Sequence, residues 1–498
     1  MEIAPPTPAP STKHLAWLIG PALVAGVAYL DPGNVASNMT AGAVYGYLLV
    51  WVVVLGNVMA WLIQYLSAKL GIVTGRSLPE MLGRRIGNRW ARRAYWLQAE
   101  LVAMATDIAE VIGGAVALNL LFGIPLLWGG LITGTVSLVL LVVQSRRGPR
   151  TFEFVIIGLV AIIAIGFTFG VFIAPPDAGA IVGGLVPRFE GTGSVLLAAS
   201  ILGATIMPHA IYAHSALARD RFAPTDAGGR AASDPSTGSG TDARAGSGTD
   251  ARAGSGTDAR AGSGTDARAG SGTDARAGAV TDAGSARYRR TASNPDEGPA
   301  QIRIEIPLEE LRGIPTSRLL RATRWDVSIA MIIAGTVNLC ILLLAAANLA
   351  GVPGTATLEG AYNALSAGLG PLVATLFAVG LLASGLASTS VGAYAGAEIM
   401  HGLLHIRVPL VARRLVTLIP ALIILGAGVD PTLALILSQV VLSFGIPFAL
   451  VPLVALTANR EVLGVHRNRL ATTIAGIAAS VFLIALNAIL LWLVLTGA

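Results

Sequence analysis

Cysteine is nearly absent: Cys340 is the only one in 498 residues, so no disulfide framework exists and thiols say nothing of the redox compartment. Charge is scarce as well. Asp, Glu, Lys and Arg make up 12% of the chain, against roughly 25% in soluble domains. Lysine is represented only by Lys13 and Lys69 among 34 basic residues, and with abundant Ala, Gly and Arg this implies a GC-rich bacterial genome. The N-terminus is a short Pro-rich tail leading into a full-length apolar span, without the compact charged, apolar and cleavage regions of a secretory signal, so the first span is expected to be retained.

What fills the chain is apolar residue after apolar residue, 54% of the total with a mean hydropathy of +0.70. Stretches such as Tyr47 to Leu66, Leu126 to Val143, Phe154 to Ile173, Val327 to Ala347 and Thr472 to Leu495 suit a hydrocarbon core roughly 30 Å thick. With the less uniform segments, about eleven spans are expected, an all-α polytopic membrane protein.

The net charge of +6 takes its meaning from placement. One set of inter-span loops carries Arg84, Arg85, Arg89, Arg92 and Arg93, then Arg146, Arg147 and Arg150, then Arg413 and Arg414, and finally Arg460, Arg467 and Arg469. The alternate loops are nearly bare: Gly351 to Pro371 has no basic residue and Ala174 to Ser194 only Arg188. The positive-inside bias makes the first set cytoplasmic. The N-terminus is then inside, the C-terminus outside, and nucleic-acid binding is excluded as the reason for the basic balance.

Five tandem copies of GSGTDARA, from Gly238 to Ala277, interrupt the hydrophobic pattern. Gly, Ser and Asp-Ala-Arg units bury too little apolar surface to offset chain entropy, so 219–318 is expected to be a low-complexity cytoplasmic insertion. The remaining boundaries follow. Residues 1–13 form a cytoplasmic tail, 14–175 spans one to five, 176–218 an external loop and span six, 319–457 spans seven to ten, and 458–498 span eleven.

Two spans are broken. In the first, LVAGVAYL meets Asp31, Pro32, Gly33 and Asn34 before helical pattern resumes; in the sixth, LLAASILGATI meets Met207, Pro208 and His209. Proline in mid-span removes a helix hydrogen bond, which frees carbonyls just upstream, near Ala28 and Ala204. Free backbone groups at membrane depth survive only against protein, water or an ion. Matched breaks in the two halves of a chain point to inverted repeats with a substrate site at the midplane.

A carboxylate in mid-membrane costs about 3 kcal/mol even on the lenient insertion scale, so Asp31 is a site residue by default. It also stands where it can cap the second half-helix. Met207 alone reads as packing. The combination of a hard carboxylate, the Asn34 amide and a soft thioether suits manganese(II), iron(II) and softer ions better than magnesium or calcium.

At DPGN (Asp31 to Asn34), ATIMPH (Ala204 to His209), TDIAEVIG (Thr106 to Gly113), QYLSAKLGIVTG (Gln64 to Gly75) and SQVVLSFGIPFA (Ser438 to Ala449) the chain resembles the Nramp proton-coupled metal transporters, nearly throughout its length outside the insertion. The resemblance implies a LeuT-like fold, with spans one to five and six to ten as inverted repeats and spans one and six unwound. It implies metal ligation by Asp31, Asn34 and Met207, with the Ala28 and Ala204 carbonyls and Gln439 joining, and Gln64 on the external approach. Magnesium- and aluminium-carrying relatives lack the methionine, so Met207 favours the manganese/iron branch. The expected function is import of manganese(II), iron(II) and cadmium(II) coupled to protons by alternating access in the bacterial cell membrane. The metal is cargo; no resident cofactor and no obligate protein partner is implied.

Asp107 and Glu110 are three apart and Glu100 lies two turns earlier, near one helix face. The resemblance supplies Arg413 and Arg414 as their partners and makes the group a proton route from Asp31 towards the cytoplasm, with His209 assigned to it. A static ion-pair network and a structural histidine are the competing readings. An intramembrane metalloprotease would need HExxH-like spacing, whereas His209 and His214 are five apart with no adjacent Glu. A metal channel and a LeuT-like carrier of another small substrate are the nearer rivals. An amino-acid carboxylate would be repelled by Asp31 at the half-helix N-terminus.

Overall fold

The computed structural model describes residues 21–147, 149–222, 315–406 and 408–497; the GSGTDARA repeats and the N-terminal tail lie outside the described residues. Every regular element among the described residues is helical. In chain order these are α1 (Pro21–Gly26), a 3-10 turn (Val27–Leu30), α2 (Pro32–Tyr45), α3 (Val50–Thr74), α4 (Leu78–Arg85), α5 (Arg89–Phe122), α6 (Leu126–Arg147), α7 (Pro149–Ile173), α8 (Ala178–Gly184), α9 (Gly191–Thr205) and α10 (Pro208–Phe222). Beyond the repeats follow α11 (Thr316–Asn348), α12 (Leu358–Leu369), α13 (Pro371–Leu404), α14 (Leu410–Gly426), α15 (Pro431–Ala458), α16 (Arg460–Leu463) and α17 (Leu470–Thr496).

Seven stretches are long and apolar enough to cross a membrane unaided: α3, α5, α9 with α10, α11, α13, α15 and α17. Among the described residues, the shorter apolar runs of α6 and α7, the broken pair α1 and α2, and α14 bring the helical passes to eleven. Numbered as spans one to eleven, their packing repeats with a shift of five. Span one packs on seven as six packs on two, five on eight as ten on three, and three on four as eight on nine. Spans three and eight, which exchange under the same shift, form the central contact. Such a partner list is what two inverted five-span repeats produce.

The two breaks have local causes. Asp31, at φ −72° and ψ 162°, ends the 3-10 turn and caps α2, whose first residue is Pro32; extended backbone with a side-chain acceptor, then a proline that lacks the donor N–H, is the preferred way to start a helix. Ile206 likewise leaves helical geometry at φ −116° and ψ 45°, and Pro208 opens α10.

The connections are more ordered than their hydropathy implies. Arg84 and Arg85 lie on α4, begun by a capping box between Ser77 and Glu80, and Arg89, Arg92 and Arg93 form the first turns of α5. The two arginine-poor connections hold α8 and α12. These short helices carry no span-length apolar run, so hydropathy reads them as loop.

Candidate functional site

Asp31 is fully buried and uses both oxygens: Oδ1 accepts from the Asn34 backbone N–H (2.8 Å) and Oδ2 from Gln439 Nε2 (2.9 Å). The capping reading and the site reading are thus both physically present in one side chain. Asp31 enters no ion pair with a cation among the described residues. A buried carboxylate in that position lacks the partner that ordinarily offsets its desolvation.

Asn34 ties the two breaks together. Its Nδ2 donates to the Tyr29 carbonyl at 2.6 Å and reaches the Ala204 carbonyl at 3.5 Å, while its Oδ1 accepts from Asn38 Nδ2 at 2.5 Å. One turn on, Ser37 and Ser200 join hydroxyls at 2.6 Å. The carbonyls released in span one that find side-chain donors are those of Tyr29, taken by Asn34 and by Asn338 Nδ2 (3.1 Å), and Leu30, taken by the Ser384 hydroxyl. Ala28 is buried in the 3-10 turn just before them.

Gln439 comes from α15 and enters between the breaks. A Cβ at Gly33 would overlap its amide, and one at Gly203 would overlap its backbone carbonyl, so both glycines are required by its approach. Its Oε1 has no hydrogen-bond partner. Met207 is fully buried at the second break. Asp31, Asn34 and Gln439 thus lie in a volume closed to solvent, and Asn34 reaches the Ala204 carbonyl three residues before Met207, itself buried at the second break. No cluster of three His, Cys, Asp or Glu with metal-binding geometry occurs among the described residues.

The carboxylates of α5 stand beside both breaks. Pro32 fills the space that Gly113 leaves, three residues past Glu110, and His209 Nδ1 lies 3.2 Å from the hydroxyl of Thr106, next to Asp107. Asp107 Oδ1 and Oδ2 meet Arg414 Nη1 and Arg413 Nη1 at 2.8 and 2.9 Å. Arg414 Nη1 also reaches Glu110 Oε2 at 2.9 Å, and Arg413 Nε reaches Glu100 Oε1 at 3.1 Å. Ser137 and Thr389 accept the remaining Arg414 bonds. All five ionic groups are buried, three acids against two guanidiniums.

Gln64 belongs elsewhere. Its Oε1 lies 2.6 Å from His214 Nδ1, which puts it against α10 on the side of the break away from α9. Sequence reasoning passed over Asn38, Asn338 and Ser384, although a lone Asn within the apolar run of α11 was a visible signal. It also passed over a second ionic cluster at the end of α10. There Arg219 pairs with Glu80 at 2.8 Å, Asp220 at 2.7 Å and Glu398 at 3.2 Å, and the Tyr394 hydroxyl donates to Asp220 at 2.6 Å.

Two broken spans facing one another across an inverted repeat, with a closed polar site at the breaks, define a multi-pass membrane transporter. The fold is also that of MhsT in complex with L-phenylalanine, with a TM-score of 0.51 at 11% identity over 95% of this chain and 97% of that one. The family model described as natural resistance-associated macrophage protein-like, Nramp, matches residues 22–236 and 308–493, and the chain belongs to that family. The match leaves out 237–307, where the repeats stand. The chain is 51% identical to the divalent metal cation transporter MntH of Mycobacterium tuberculosis over 487 residues, 98% of this chain and 94% of that protein. To the transporter of the same name from Bacillus subtilis it is 39% identical over 96% and 92% of the two chains. The Eremococcus coleocola manganese transporter, solved with an aromatic bis-isothiourea compound, superposes with a TM-score of 0.70 at 27% identity over 97% of this chain and 88% of that one.

Proposed function

We propose that this protein imports manganese(II), with iron(II) and cadmium(II) as further cargo, by proton-coupled alternating access. The observation that carries the reading is Asp31: a fully buried carboxylate without an ion-pair partner among the described residues, bonded to the Gln439 amide and to the backbone of Asn34, whose side chain reaches the Ala204 carbonyl of the second break. A dication supplies the missing counter-charge, and the thioether favours ions softer than magnesium or calcium. The relatives that share the fold and carry these names include a manganese transporter and divalent metal cation transporters.

Proton coupling rests on charge stoichiometry. Glu100, Asp107 and Glu110 oppose Arg413 and Arg414, so one proton neutralises the buried cluster. Cargo at Asp31 favours the ionised carboxylate and releases any proton held there. His209 and Thr106 bring the second break to the edge of that cluster. Burial on all sides fits a state occluded from both compartments, as a carrier requires and an open channel does not.

The test is uptake by purified protein in liposomes with an internal pH dye, comparing manganese, iron, cadmium, magnesium and calcium. Saturable manganese uptake with acidification and counter-transport, and no magnesium uptake, is expected. Non-saturating flux without counter-transport would replace the carrier by a channel, and equal magnesium uptake would remove the role given to Met207.

A further inference from the structure

A groove of about 410 Å³ opens on the outer flank of the helix bundle between α3 and α11. Its walls are apolar, with Val58 60% and Ile332 68% exposed, and at one end of its floor Trp61 Nε1 donates to Ser328 Oγ at 2.9 Å. In a membrane-spanning chain the occupant of such a flank comes from the bilayer. The lining of α11 runs from Ser328 to Leu339, eleven residues apart, about 16 Å at 1.5 Å per residue. That equals the roughly 15 Å hydrocarbon depth of one leaflet.

What distinguishes the groove from an ordinary lipid-facing seam is its end. Arg321, Arg324 and Trp325 precede Ser328 by seven, four and three residues, so they stand on the same face of α11 as the lining. Arg324 is stacked 5.2 Å over the ring of Tyr65, which lies one turn past Trp61 on α3. Trp325 is 65% exposed beside it, as interfacial tryptophans are. Both arginines are exposed, and neither forms an ion pair among the described residues. Lys69, one further turn along α3, donates to Asn468 Oδ1 at 2.9 Å and lies within electrostatic reach of Arg324. Three cations, with no ion pair to Arg321 or Arg324 among the described residues, thus gather where an apolar groove one leaflet deep meets the interface, while Asp326 on α11 is buried and accepts from the Ala22 backbone N–H.

We propose that this is a binding site for an anionic phospholipid, its phosphate on Arg321 and Arg324 and one acyl chain in the groove between α3 and α11. Cationic pockets between spanning helices take anionic head groups, and the groove confines a chain that a flat helix face would leave mobile. The orientation proposed from the arginine-rich connections places the head group in the cytoplasmic leaflet. The site is separate from Asp31 and holds whatever the transported ion.

The experiment uses the full-length protein in detergent. Binding of phosphatidylglycerol and of phosphatidylcholine with identical chains is measured by native mass spectrometry and thermal shift, with inorganic phosphate as a third arm. Phosphatidylglycerol should be retained and raise the melting temperature, with phosphatidylcholine weaker and phosphate without effect. Arg321→Gln with Arg324→Gln should lower phosphatidylglycerol affinity on the order of 25-fold, from roughly 1 kcal/mol per cation at 1.4 kcal/mol per tenfold. The double Lys variant should retain most of that affinity. Ile332→Trp, which fills the groove from an exposed position, should weaken both lipids. Lipid-free melting of each variant reports folding separately. Equal binding of the two lipids, stabilisation by phosphate alone, or binding indifferent to both sets of variants would overturn the proposal.

Discussion

Asp31 shows how one residue can hold a local and a global task together. Its Oδ1 starts α2 while its Oδ2 faces α15, so the same carboxylate fixes the half-helix and defines the site. Asp31 and Asn34 stand out in the sequence as polar residues flanking Pro32 and Gly33 within an apolar span, whereas Met207 stands out only by its place beside Pro208 at the second break. Gln439, Arg413 and Arg414 are legible only through the resemblance, since neither composition nor spacing says what a lone amide or an arginine pair will face across the bundle. Asn38 and Ser384 escaped for a different reason: Asn and Ser inside helices usually bond locally, as Asn38 does to Asn34 one turn back on α2, and nothing local reveals that Ser384 reaches the Leu30 carbonyl on another element. Met207 is the sharpest test at this scale. Met207→Ala removes the one soft donor, so cadmium and manganese uptake are expected to weaken, on the order of tenfold or more for a site ligand, while rejection of calcium and magnesium relaxes. Liposome uptake with the five ions in parallel reads it, and an unchanged order of preference returns Met207 to packing.

At the scale of elements, the breaks in spans one and six were readable as interruptions, yet what they touch was not. The same limit explains the cluster in which Arg219 of α10 meets Glu80 of α4 and Glu398 of α13, residues far apart in the chain. Arg219 thereby ties the helix that leads into the repeat segment to two neighbours. Glu80 lies outside the membrane-spanning segments. Burial alone would raise its carboxyl, but the Arg219 guanidinium and the Ser77 backbone N–H outweigh burial and hold it below the ordinary glutamate value. A carboxyl lowered in the folded state stabilises it fully above the unfolded value of about 4.3, and that contribution is lost as pH falls through the lowered value. The melting temperature of the purified protein is therefore expected to fall more steeply below about pH 4.3 than that of Glu80→Gln. Parallel acid slopes for the two proteins would show that the pair adds nothing to folding.

For the whole molecule the arginine asymmetry and the eleven passes make one prediction together. In a Cys340→Ser background, a cysteine at Gly354 should react with an impermeant reagent added outside, and one at Gly87 should not; both positions are exposed, so only sidedness distinguishes them. Reversed labelling would invert every directional statement made for this transporter. With that orientation, the separation of cargo from proton becomes a question of which carboxylate each ion meets. Asp31 stands at the break without a cation, whereas Asp107 is already shared between Arg413 and Arg414 on an unbroken helix. Removing Asp31 deletes a proposed ligand. Converting Asp107 to Asn keeps the shape of the cluster but removes one of its three acids, so its charge is balanced without a proton. Inward movement of a dication is favoured by about 4.6 kcal/mol per 100 mV, from roughly 2.3 per charge, and metal uptake therefore need not fail when the proposed proton acceptor does. Asp31→Ala is expected to abolish metal uptake, while Asp107→Asn retains voltage-driven metal uptake and loses most of the accompanying acidification. Metal flux and internal pH recorded in the same liposomes at a clamped potential decide it: equal loss of metal flux in both variants, or undiminished acidification in Asp107→Asn, would leave the two carboxylates without separate roles.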